Sequence, residues 1–213
     1  MASDIPLDMQ QHIVLDDVSW ELYEHLLEEV GDRPVRMTYD DGKLEIMSPL
    51  PKHDRWSRRI GLMIHLACLE LNIPMVPLGS TTFRDAAKRK GLEPDECFYV
   101  KHADAAMRME EAFDPMVDPP PDLAVEVDIT RRSVARQPVY AALRVPELWR
   151  FDGKALTVLA LSPEGLYEPR GESLAFPFLP IPGLETFLAR LRTENDTTVM
   201  RDFQQWLRTL QSK

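Results

Sequence analysis

The chain is short of cysteine, of basic charge and of long apolar runs, and each shortage excludes something. Of 213 residues only Cys68 and Cys97 are cysteines. Disulfide-stapled secreted domains carry many more, so no disulfide framework is expected. Cys68 falls in a helical pattern and Cys97 in a strand pattern, which reads as two buried free thiols in a reducing cytoplasm. Lys and Arg number 25 against 35 Asp and Glu, a formal net charge of −10. That balance argues against a protein coated in a basic nucleic-acid-binding surface. It leaves room for a nuclease, whose metal-holding carboxylates make a site acidic before the metal arrives, and for a local basic patch within an acidic total. No apolar run is long enough to span a membrane, and the N-terminal M-A-S-D-I-P-L-D has neither a basic n-region nor an apolar h-region. The expectation is therefore a cytoplasmic protein with no signal peptide and no membrane partner.

What is present is ordinary for a globular domain: 44% hydrophobic and 28% charged residues, with 18 prolines falling between segments as turns. Residues 1–15 read as a loosely attached arm. Asp16–Val30 reads as a helix capped by Ser19 and closed by Gly31. Val35–Asp40 and Lys43–Ser48 flank Asp41-Gly42, a strong hairpin signal. In the return strand Glu45 is most simply solvent-facing, and it is kept as a weak site candidate. Pro51–Asn72 is the longest helical pattern, with Trp56, Ile60, Met63, Ile64, Ala67 and Leu71 on one stripe and His53 in the first turn. Arg55, Arg58 and Arg59 on its other face form either a solvated surface or a phosphate-contacting one.

Two short strands are expected within Ile73–Arg84, a basic loop over Ala86–Gly91 and a strand over Leu92–Val100 that begins near Pro94. Lys101–Val117 has helix-forming composition. Asp122–Thr130 is a strand, Arg131–Val145 a helix starting near Pro138, and Glu147–Asp152 with Lys154–Leu161 a second hairpin around Asp152-Gly153. A strand over Leu166–Pro169 and helices over Leu184–Leu191 and Thr198–Leu210 complete the chain. The expected divisions are the arm, a domain over 16–175 and a helical extension over 176–213 that packs on that domain or on a dimer partner, Trp206 included.

One stretch does not fit an ordinary strand. Across Asp122–Thr130, Leu123, Val125, Val127 and Ile129 face one way, while Asp122, Glu126 and Asp128 share the other face with Ala124 and Thr130. Like charges side by side destabilise a sheet, and acidic residues are poor strand formers. A solvated face accounts for this, and so does a hard divalent cation, which takes carboxylate oxygens. Acidic residues on neighbouring strands followed by a basic residue would suit metal-assisted phosphodiester hydrolysis.

Four segments in order, M-S-P-x-x-x-H (Met47 to His53), E-P-D-E-C-F-Y (Glu93 to Tyr99), P-P-D-L-A-V-E-V-D-I-T (Pro120 to Thr130) and Y-A-A-L-R-V-P-E-L-W-R (Tyr140 to Arg150), resemble the Uma-two family of bacterial restriction-endonuclease domains with the PD-(D/E)xK nuclease fold. The resemblance covers roughly Asp16 to Leu161. It implies an α/β chain of the α+β type, with a mixed central sheet, flanking helices and an added β-hairpin. It also implies that Asp95 is the PD aspartate, Glu126 the following acidic residue, and the Val127 carbonyl a further ligand for Mg²⁺ or Mn²⁺. Glu45 and His53 fall on positions that the family pattern features, with auxiliary roles. The lysine position holds Asp128 instead, an auxiliary residue that either ligates metal or pairs with Arg131, Arg132 or Arg136. The basic residue moves to Arg136, four residues before Tyr140. Arginine keeps the charge but cannot practically act as a base.

Two functions follow from the resemblance. One is a metal-dependent endonuclease acting on DNA as a homodimer, each site cutting one strand. The other is a catalytically inactive nuclease-fold binding or structural protein, supported by the net charge, the absent lysine and the lack of a separate DNA-binding domain.

Overall fold

The computed structural model describes residues 12–31, 33–48, 51–109, 113–129 and 134–211. Two sheets share the chain. The first has strands β1 (His12–Leu15), β2 (Arg36–Asp40), β3 (Lys43–Met47), β5 (Phe83–Asp85) and β6 (Lys90–Leu92), in the order β1-β3-β2-β6-β5 and antiparallel throughout. The second has β4 (Val76–Pro77), β7 (Glu96–Tyr99), β8 (Leu123–Val127), β9 (Glu147–Phe151), β10 (Leu156–Leu161) and β11 (Tyr167–Arg170), in the order β11-β10-β9-β8-β7-β4. Only β8 and β9 run parallel there, and they are joined through helix α4 (Arg136–Ala142). This is the mixed sheet with flanking helices that the sequence led us to expect.

Local chemistry explains the first sheet. Asp41 (φ 43°) and Gly42 (φ 99°) both take positive φ, as a two-residue turn of primed type requires. Helix α1 (Trp20–Val30) is capped by the Ser19 hydroxyl, which accepts from the Leu22 N–H at 3.1 Å. The helix starts at Trp20 rather than Asp16, after Asp17 with φ 57°. Trp20 and Tyr23 pack on Tyr39 of β2, with Tyr23 and Tyr39 stacked at 4.8 Å. Gly91 of β6 lies so close beneath the Tyr23 ring that a Cβ there would collide with it.

Several expectations change. His12–Leu15, read as part of an arm, pairs with β3 as an edge strand, whereas residues 1–11 lie outside the described residues. Leu92–Val100 is not one strand. The chain leaves the first sheet after Leu92, turns through Glu93-Pro94-Asp95 and enters the second sheet at Glu96. Proline has no N–H to give a ladder, so the break falls at Pro94. Lys90 and Gly91, read as loop, belong to β6. Of Lys101–Val117 only α3 (Ala103–Ala106) is helical among the described residues. Helix α4 begins at Arg136, which leaves Pro138 in its first turn.

Strand β8 is buried along its whole length. Leu123, Val125 and Val127 face α2 (Pro51–Leu71) and the C-terminal helices, in a core with Trp56, Ile60 and Trp149. Ala124 faces Val139, Tyr140 and Leu148 on the other side. The C-terminal helices α5 (Ile181–Arg190) and α6 (Asp196–Gln211) join the first of these cores through Leu184, Phe187, Phe203 and Leu207. Trp206, considered as a dimer surface, packs within the chain at 5.5 Å from the Phe187 ring and over Gly183. Glu147, fully buried on β9, accepts from Trp149 Nε1 at 2.6 Å, Ser173 Oγ at 2.7 Å, Leu174 N at 2.5 Å and Ala175 N at 2.9 Å. It thereby ties the segment leading into α5 to the sheet. Cys68 and Cys97 are buried and free. Among the described residues no helix is long and apolar enough to cross a membrane.

Candidate active site

The seam between the two sheets gathers most of the acidic residues singled out in the sequence. Strands β7 and β8 pair Glu96 with Val125 and Cys97 with Ala124. One further step of that antiparallel register leads to Asp95 and Glu126. Backbone pairing stops there, and the Asp95 side chain takes over, its Oδ2 accepting the Val127 N–H at 2.7 Å. Asp95 is 3% exposed, and its Oδ2 also lies 3.2 Å from His53 Nε2. His53 is buried in the first turn of α2, so the helix start is aimed at this carboxylate. Arg36 of β2 stands 3.8 Å from Asp95 Oδ1 and donates to the Pro94 carbonyl at 3.0 Å.

Glu126 points to the α4 side. Its Oε2 accepts from Arg136 Nη1 at 3.0 Å and its Oε1 accepts from the Tyr140 hydroxyl. Residues 136 and 140 lie one helical turn apart, so one face of α4 presents both donors to one carboxylate. Arg136 also donates to the Glu93 carbonyl. Burial pulls the Arg136 guanidinium down, but Glu126, Tyr140, Asp95 and Glu45 outweigh it and hold the group above the ordinary arginine value. Burial and the Glu126 charge push the Tyr140 phenol well above its usual range. At working pH both groups therefore act as donors to Glu126, and neither acts as a base.

Glu45, which sequence reasoning left as a solvent-facing option, is 2% exposed, and its charge acts on Arg136. The seam thus holds three buried carboxylates, Glu45, Asp95 and Glu126, with two guanidinium groups, Arg36 and Arg136. Arg36 was missed. A lone arginine at the start of a strand carries no pattern that marks it, and its position beside Asp95 depends on how the sheets dock. Neighbouring acidic side chains also respond to the seam: burial raises the pKa values of Glu93 and Glu96, with Arg36 opposing in both.

The remaining acidic positions divide. Asp122 caps the far end of β8, accepting from Val100 N at 2.7 Å, His102 N at 3.0 Å and the His102 ring at 2.7 Å. Asp128 follows β8 and hydrogen-bonds through its backbone N–H to Phe151 O at 2.8 Å. Of the three arginines considered as its partners, Arg136 pairs with Glu126, whereas Arg131 and Arg132 lie outside the described residues. Glu126, Asp128, Arg136 and Tyr140 border an open cavity of about 820 Å³, and Arg36 and Asp95 border a second of about 350 Å³ that also touches Arg33 and Arg58.

Among the described residues no cluster of three or more His, Cys, Asp or Glu side chains is arranged to hold a metal ion. The set expected here needs only two side chains, Asp95 and Glu126, with the Val127 carbonyl. Its chemistry fits a hard cation, since all three donors are oxygens. The N–H and C=O of a strand residue leave on the same side, so the Val127 carbonyl is directed to the edge where its N–H meets Asp95. A carboxylate accepts at about four lone-pair sites, so Glu126 keeps capacity beside its bonds to Arg136 and Tyr140.

No curated protein sequence matches the chain. Among solved structures, a "putative nuclease belonging to DUF820" from Anabaena variabilis ATCC 29413 aligns over 89% of this chain and 99% of its own, with 14% identity and a TM-score of 0.48. Residues 20–189 match the model of Uma2, described as "Putative restriction endonuclease". That stretch runs from the start of α1 into the last turn of α5 and spans most of the chain, so this chain belongs to the Uma2 family.

Proposed function

We propose that the chain is a Mg²⁺- or Mn²⁺-dependent endonuclease that hydrolyses phosphodiester bonds in DNA. The observation that carries the reading is the seam itself. Three buried carboxylates and two buried or half-buried guanidinium groups, drawn from both sheets, the connection between them and helix α4, converge around Asp95 and Glu126. Burying charge at this density is costly, and such clusters gather at chemical sites, which supports the reading.

Asp95, Glu126 and the Val127 carbonyl would hold the metal. When bound, it supplies a water of lowered pKa and neutralises charge on the scissile phosphate. The chain's own residues do the rest. Val127 N–H and His53 orient Asp95, and Tyr140 and Arg136 orient Glu126. Arg136, always charged, stands ready to stabilise the negative charge that builds on phosphorus oxygens in the transition state. Glu45 adds a weaker attraction to Arg136, and Asp128 borders the space a substrate would enter. A homodimer would set one such site against each strand of a duplex.

A second reading has its own observation. Both oxygens of Glu126 are already engaged by Arg136 and Tyr140, a self-satisfied arrangement that a nuclease-fold protein without activity would also have. One experiment separates the two. The purified chain is incubated with supercoiled plasmid and single-stranded DNA in Mg²⁺, Mn²⁺ or EDTA, beside Asp95→Asn and Glu126→Gln variants with unchanged circular dichroism. Metal-dependent cleavage lost in both variants supports the enzyme. An inert wild type that binds no metal by calorimetry supports the second reading.

A further inference from the structure

Outside the seam, one concavity concentrates positive charge. It is a groove of about 540 Å³ between the first turns of α2, the β9–β10 turn and the α5–α6 connection. Five basic side chains line it, Lys52, Arg55, Arg59, Lys154 and Arg192, against the two carboxylates Asp152 and Glu194. Both carboxylates are occupied. Asp152 accepts the backbone N–H groups of Lys154 and Ala155 at 2.8 Å, and Glu194 takes two 2.7 Å bonds from Arg190. Arg59 is held by Asp196 and lies 4.9 Å over the Trp56 ring. The other four cations, Lys52, Arg55, Lys154 and Arg192, are exposed and make no ion pair among the described residues. Like charges gathered around one hollow repel each other. On a chain of net charge −10, four exposed cations in one place are a local exception, although Arg55 also acts on Asp196 and Lys154 on Asp152.

We infer that this groove is a track for the sugar-phosphate backbone of the nucleic acid that the seam cleaves, an inference that rests on the nuclease reading of the seam. Two features choose the backbone over the bases. The aromatic ring in the groove, Trp56, is 5% exposed and already covered by Arg59, so it offers no platform for stacking. The exposed chemistry is cationic, which positions phosphates but carries no sequence information. A third feature links groove and seam: Ile129 lines both this groove and the cavity at Glu126. From Glu126 to Ile129 the extended chain spans no more than about 11 Å. At a rise of about 3.4 Å per base step along one strand, the near end of the groove meets the backbone within about three nucleotides of the phosphate at Glu126.

Binding of a fluorescent duplex oligonucleotide, followed by anisotropy over a salt titration in EDTA, tests this without cleavage. The proteins are wild type, Lys52→Ala/Arg55→Ala, Lys154→Ala/Arg192→Ala, the charge-preserving Arg55→Lys/Arg192→Lys, and Lys101→Ala as an exposed cation elsewhere, each checked by thermal melting. Each alanine pair is expected to lower the slope of log K against log salt by about two, near 0.9 per phosphate contact, while the lysine pair and Lys101→Ala keep it. Wild-type binding with an unchanged slope in both alanine pairs overturns the groove and leaves the seam's chemistry untouched. No binding by wild type overturns both. A fallen slope in a protein that cuts nothing upholds the groove and removes the catalytic reading.

Discussion

Replacing Arg136 with methionine keeps most of the side chain's apolar bulk and removes the guanidinium that faces Glu126. The two side chains are 6% and 7% exposed and meet at 3.0 Å. At an effective dielectric constant near 20 their Coulomb attraction is about 5 kcal/mol. That attraction goes with the guanidinium, but Glu126 is not left bare, because Tyr140 still donates to it. Stranding one member of a buried pair costs about 3–5 kcal/mol, and the remaining donor puts the expected loss near the lower figure. The reverse change, Glu126→Gln, is milder, because Arg136 keeps Asp95 and Glu45 as neighbouring charges. The double variant leaves neither partner stranded and should be more stable than Arg136→Met alone. Urea unfolding by circular dichroism in EDTA, read as a shift of midpoint at constant m-value, gives all four corners of the cycle. Costs that add to within about 0.5 kcal/mol would show that the two residues do not act on each other, and the account of the seam would be wrong.

Glu147→Gln should destabilise by about 2–4 kcal/mol, since an amide offers one acceptor to four donors and turns its own N–H₂ toward some of them; thermal melting with Trp149 fluorescence reads it, and an unshifted melt refutes it. Burial pushes the Cys68 and Cys97 thiols up to about 12 each, against about 8.5 in an unfolded chain. Because the unfolded chain loses these protons first, this contribution is whole below about pH 8.5 and shrinks as the pH rises toward 12. A urea midpoint that falls over that range in wild type and less in Cys68→Ala/Cys97→Ala meets the expectation, as does slow thiol labelling at neutral pH. Gly91→Ala should cost about 1–3 kcal/mol by forcing the Tyr23 ring aside, with near-ultraviolet dichroism changing along with stability; a silent substitution would mean that the ring is free to move.

Legibility in the sequence followed the range of the interactions. The hairpin at Asp41-Gly42, the Ser19 cap and the α2 stripe are set by residues a few positions apart, and all are found where the pattern puts them. The alternation along β8 is also correct. What offsets its acidic face was not legible: among the described residues Asp122 has His102 and two backbone N–H groups, and Glu126 has Arg136 and Tyr140. Strand β1 was missed because its only support is an edge pairing with β3. The split of Leu92–Val100 was missed because a strand pattern does not say which sheet it joins. Glu45 looked like a surface residue, and Arg36 drew no reading, for the same reason, since their burial comes from a second sheet far away in sequence.

That distance bears on how the protein comes to exist. The bonds that hold the seam span 32 residues from Val127 to Asp95, 43 from Arg136 to Glu93 and 58 from Arg36 to Pro94. Contacts of such separation form late, after loops of that length have closed. A nascent chain that has made its hairpins and α2 still has its acidic residues scattered in water. Only when Glu93-Pro94-Asp95 is pinned between both sheets do those residues become a pocket, so a half-made molecule carries the residues of the seam without the seam.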